Sequence, residues 1–147
     1  MSVRYQITFD CTDPDAMARF WAEALEYVLE PPPDGHADWR DYWRSVGIPE
    51  DELDGGHDSI VDPAGAGPRI WFQRVPEAKT VKNRLHFDVR VGGGRSVPIE
   101  ERKQRVDAEV DRLSAAGATV IARHHSPDVD HYFVAMRDPE GNEFDVV

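Results

Sequence analysis

The sequence predicts an α+β fold made of two copies of one strand–helix–strands unit. Three observations carry that expectation. Apolar and polar residues alternate at Tyr5, Ile7 and Phe9, and again at Leu85, Phe87, Val89 and Val91, which is the period of a half-buried strand. Each alternating run is followed by a helical pattern of its own. A polar connector from Pro76 to Asn83 separates the two halves. A chain of 147 residues suits one domain, or two half-size units that share a core.

The elements follow in order. Val3 to Phe9 reads as the first strand, with Gln6, Thr8 and Asp10 opposite its apolar face. Thr12 or Asp13 can cap a helix, Pro14 suits its first position, and Asp15 complements its positive end. Met17, Phe20, Trp21, Leu25 and Val28 recur at helical spacing, and Pro31 to Pro33 end the run. Trp39, Tyr42, Trp43 and Val46 predict one short helix, closed by Gly47 and Pro49. Ser59 to Asp62 and Arg69 to Val75 read as strands around a Pro-Ala-Gly-Ala-Gly-Pro turn.

The second half starts with the strand from Leu85 to Val91, broken by Gly92 to Gly94, which reads as a flexible linker. A helix is expected from Pro98 to Ala116, with Val106, Val110 and Leu113 inward and Gly117 closing it. Ala118 to Arg123, Tyr132 to Arg137 and Glu143 to Val147 read as strands. Asp138-Pro139-Glu140-Gly141-Asn142 is a strong turn before the last. The repeat is one of pattern, because the two halves share little sequence.

Composition narrows the function. The net charge of −11 repels nucleic-acid phosphates and anionic lipid, and no basic stripe offsets it. The apolar runs are only a few residues long, too short to span a membrane. The single cysteine, Cys11, leaves no internal disulfide and fits a reducing compartment. A cytoplasmic location is the expectation.

Strand parity nominates a site. Gln6 lies opposite Tyr5, Ile7 and Phe9; Gln73 lies opposite Ile70 and Phe72; His86 lies between Leu85 and Phe87; Asp145 lies between Phe144 and Val146. All four are therefore expected on faces that no helix covers. Nitrogen and oxygen donors of this mix suit Zn, Ni, Fe, Co or Mn. The plainer reading is polar lining and local hydrogen bonds. His124, His125 and His131 flank Ser126-Pro127-Asp128, and their spacing fits a solvated loop, with a role as a lid as the sharper alternative. Trp39, Trp43 and Trp71 fit either the core or an apolar pocket for an aromatic ligand.

The segments YQITFDCTDPDAMARFWAEAL, RIWFQRVPEAKTVKNRLHFDVRV and RDPEGNEFDVV resemble glyoxalase-like proteins of the vicinal-oxygen-chelate superfamily. That group includes glyoxalase I, extradiol dioxygenases, fosfomycin-modifying enzymes and bleomycin-resistance proteins. The resemblance implies an α+β fold of two βαβββ modules with curved mixed sheets enclosing a cup-shaped pocket. It implies one glyoxalase-like domain over 1–147, with module one at about 1–78 and module two at about 83–147. It places the superfamily's metal positions on Gln6, Gln73, His86 and Asp145. Gln73 and Asp145 depart from the usual glutamates, and no second carboxylate is left as a general base, so glutathione-dependent glyoxalase I activity is not expected.

Two functions follow from the resemblance. One is a metal-dependent lyase or dioxygenase with a divalent ion on those four residues. The other is a metal-free binding or resistance protein for a small metabolite or antibiotic, using Trp71, His86, Asp88 and Arg90. The resemblance also implies a homodimer.

Overall fold

The computed structural model describes residues 2–53 and 56–147. The chain divides into two compact units, Met1–Pro76 and Glu77–Val147. The first contains β1 (Ile7–Cys11), α1 (Pro14–Leu25), β2 (Val28–Leu29), α2 (Trp39–Ser45), β3 (Ser59–Val61) and β4 (Ile70–Arg74). The second contains β5 (Asp88–Val89), α3 (Ile99–Ala115), β6 (Thr119–Ser126), β7 (His131–Arg137) and β8 (Glu143–Val146).

Both units have one topology. The sheet orders are β1-β4-β3-β2 and β5-β8-β7-β6. In each, the first strand lies parallel to the last, and the remaining pairs are antiparallel. The fold is α+β, two βαβββ modules with two open four-stranded mixed sheets.

Capping chemistry explains why α1 starts where it does. The Asp13 side chain accepts the Ala16 N–H at 3.1 Å, and Pro14 occupies the first turn. Glu26, with φ 55°, ends the helix in the left-handed region. The helix therefore stops well before Pro31, and Val28 belongs to β2, where it is exposed. Met17, Phe20 and Trp21 are buried against Ile60, Ile70 and Phe72 in the first unit's core. In the second unit Val106, Val110 and Leu113 are buried, as are Val134, Met136, Phe144 and Val146. Each such side chain contributes about 1.5–3 kcal/mol on full burial.

A turn of one design occurs in each unit, just before its last strand. Asp62 accepts the N–H groups of Ala64, Ala66 and Gly67. Asp138, only 3% exposed, accepts those of Glu140 and Asn142 and the Asn142 side-chain amide. Both are Asp-Pro-x-Gly sequences, so the repeat has a residue-level trace as well as a pattern.

Two expected strand starts move. Tyr5 is 72% exposed and Leu85 is 70% exposed, so neither belongs to a buried strand face. The ladder begins only where a partner strand runs alongside, at Ile7, whose N–H bonds Arg69. Gly92 is buried rather than a free linker residue: its N–H, like that of Val91, donates to the Val147 carbonyl. His124 and His125 lie on β6, and His131 opens β7 opposite Ser126. The turn between these strands is shorter than the expected loop, which removes most of a lid.

Candidate functional site

In the first unit a cavity of about 420 Å³ opens beside β4 and the start of α1. Trp39 and Trp43 on α2 stack with ring centroids 5.6 Å apart, and both line it together with Trp71 on β4. α2 buries none of its residues, so its tryptophans are available to the cavity rather than spent in the core. α2 is held by side-chain ties. Trp39 Nε1 donates to the Glu30 carbonyl at 2.8 Å, Asp38 caps the helix by accepting the Asp41 N–H, and Arg40 and Arg44 pair with Glu50. The Arg44 and Arg40 guanidiniums hold the Glu50 carboxyl at about 2, against a smaller desolvation effect that raises it.

Half of the polar lining is acidic. Asp58 Oδ2 accepts the indole N–H of Trp71 at 3.0 Å, and its Oδ1 accepts the Ser59 hydroxyl. Asp15 pairs with Arg19, which keeps its pKa below the usual value against desolvation, and it accepts the His57 N–H. Glu52, His57, Gln73 and Arg74 complete the polar side. His57 Nδ1 is buried with no hydrogen-bond partner.

The second unit holds a different cluster. Asp88 and Asp145 are direct partners across the parallel β5–β8 pair. His86, two residues upstream, puts Nδ1 at 3.1 Å from Asp88 and 3.9 Å from Asp145. One donor atom from each of the three lies within 4.8 Å of the others. Desolvation raises the Asp145 pKa, and the Asp88 charge raises it further, while His86 lowers it. An imidazole nitrogen and two crowded carboxylates form a donor set that fits a borderline divalent ion. Asp88, Arg90, His131, Phe133 and Asp145 line a shallow cleft of about 330 Å³ beside it.

The nominated residues divide between the units. His86 and Asp145 come together. Gln6 and Gln73 do not: Gln73 pairs in register with Asp10, four residues from Gln6, about 13 Å at the ordinary strand rise. The Gln6 side-chain carbonyl accepts from Arg69, which also binds Glu30. Of the residues expected to touch a ligand, Trp71 lines the first cavity, and His86, Asp88 and Arg90 lie at the second cluster or its cleft.

Sequence reasoning did not pair Asp88 with Asp145, or Asp58 with Trp71. Both pairs depend on strand register. A short alternating run carries parity but no register. Cys11 is buried and packs its sulfur against the Gln73 carbonyl, in line with a structural role.

Two βαβββ modules, each with a four-stranded mixed sheet, define the glyoxalase class of folds. A family model described as a glyoxalase-like domain matches residues 6–147, and the chain belongs to that family. Among solved structures it is similar to a glyoxalase/bleomycin resistance protein/dioxygenase family enzyme from Burkholderia phytofirmans PsJN, at 20% identity, TM-score 0.56, covering 96% of this chain and 94% of that one. It is similar to TioX from Micromonospora sp. ML1, at 16% identity and TM-score 0.53, covering 99% and 97%. It is also similar to a fosfomycin resistance protein, FosX from Listeria monocytogenes, complexed with Mn(II) and 1S,2S-dihydroxypropylphosphonic acid. That match has 13% identity and TM-score 0.58, covering 99% and 89%. At these identities the likeness shows the fold. No curated protein matches the sequence.

Proposed function

We propose that the chain is a small-molecule-binding protein whose ligand sits in the tryptophan-lined cavity of the first unit. The observation that carries this reading is the cavity itself, about 420 Å³ with Trp39, Trp43 and Trp71 in its wall. That volume lies in the range of drug-sized ligand pockets. A stacked indole pair on a helix with no buried residue adds little to the core and offers aromatic surface to a flat ligand. The similarity to a fosfomycin resistance protein supports a small-molecule role.

The test is tryptophan fluorescence with a panel of aromatic metabolites and antibiotics. Saturable quenching by at least one compound is expected, and Trp71→Ala should weaken it about tenfold, the loss of one stacking contact. If no compound in the panel quenches saturably, the reading fails.

The His86–Asp88–Asp145 cluster favours a second reading, in which a divalent ion binds there. Such an ion supplies a Lewis acid toward ligand oxygens, the chemistry of a metal-dependent lyase or dioxygenase. Asp88 and Asp145 would neutralise its charge and His86 would supply a nitrogen ligand. Titration calorimetry with Mn(II) or Zn(II) checks this: stoichiometric binding that His86→Ala abolishes supports the second reading, and heats no larger than buffer dilution exclude it.

A further inference from the structure

The occupant of the tryptophan-lined cavity can be narrowed by charge, on the assumption that this cavity is the ligand site. Asp58 is half-buried, lines the cavity, and bonds only to uncharged donors, the Trp71 indole and the Ser59 hydroxyl. Among the described residues no cation pairs with it. Glu52 adds a second lining carboxylate, while Glu50 takes the neighbouring arginines Arg40 and Arg44. Arg74 also lines the cavity, but an ionised carboxylate set against an aromatic wall with no cation paired to it is desolvated further by any neutral ligand and compensated by a cationic one. The wall adds to the same preference, because indole faces attract a positive charge within about 6 Å.

We infer that the cavity selects flat aromatic cations, such as N-alkylated or protonated nitrogen heterocycles, over neutral aromatics of the same shape. The stacked Trp39–Trp43 pair and Trp71 take the ring, and Asp58 takes the charge. The bond from Trp71 to Asp58 fixes the indole plane and leaves the outer carboxylate lone pairs for the ligand.

The test compares N-methylquinolinium with 1-methylnaphthalene, which share a shape and differ by one positive charge. Binding is read from tryptophan quenching and calorimetry on the full chain. The cation should bind about tenfold more tightly than its neutral isostere, and added salt should weaken only the cation. Asp58→Asn keeps an oxygen acceptor for Trp71 and should shrink the preference to the smaller share that the indole faces supply; a melting curve checks that the variant is folded. Equal binding of the two probes, or a preference undiminished in Asp58→Asn, overturns the charge assignment and leaves the cavity as a ligand site. Binding of neither probe overturns the charge assignment, while the wider compound panel decides the fate of the cavity independently.

Discussion

Burial at the start of β8 works against the Glu143 carboxylate, yet the Asn83 N–H and the Lys79 ammonium, 3.1 Å away, hold its pKa at about 2. A carboxyl depressed in the folded state stabilises the fold above its unfolded pKa, near 4.5, and loses that contribution as the pH falls toward 2. Glu143→Gln is therefore expected to cost about 1 kcal/mol at neutral pH, the worth of one charge-assisted contact. The cost should shrink as the pH falls below 4.5 and vanish only below about 2. Urea unfolding at neutral pH and at pH 3 checks this, and an equal cost at both would count against the ion pair. Residue chemistry of this kind was half legible in the sequence. Asp13 as a cap and Asp138 as the turn residue follow from local spacing, because their partners lie within four positions. Asp58 with Trp71, and Lys79 with Glu143, join residues far apart in the chain, and no local rule reaches them.

Among the helices α1, α2 and α3, α2 is the one without a buried side chain. Its tethers are one indole hydrogen bond, ring contacts and the exposed Arg40/Arg44–Glu50 pairs, and exposed pairs contribute little. Hydrogen exchange should thus be faster in α2 than in α1 or α3, and a ligand in the cavity should slow it. Equal protection of all three helices without ligand would contradict this. By contrast α1 anchors its unit: Trp21→Ala is expected to cost about 3–5 kcal/mol, measurable by denaturant titration. Helix positions were legible because caps and periodicity are local. Strand starts were not. Tyr5 and Leu85 continue the alternation into segments with no partner strand, and alternation alone does not say where a partner begins. The same limit applies to Gln6 and Gln73, which are not brought together: Gln6 precedes the ladder, and the register sets Gln73 beside Asp10.

For the whole molecule, the repeated topology was legible from the order of patterns, and the Asp-Pro-x-Gly turns gave it a second mark. The net charge of −11 adds self-repulsion to the folded state. Raising the salt from low to physiological ionic strength should therefore raise Tm by about 2–4 °C; a fall in Tm would mean that attractive pairs outweigh the excess negative charge. The central claim is that the first unit's cavity is where a ligand binds, and the four indole N–H signals in a nitrogen-15 correlation spectrum test it directly. Trp21 is 1% exposed in the core, whereas Trp39, Trp43 and Trp71 line the cavity. Titration with a bound aromatic compound should shift those three signals and leave Trp21 in place. Shifts confined to residues around His86, Asp88 and Asp145, with the three indoles unmoved, would contradict the account.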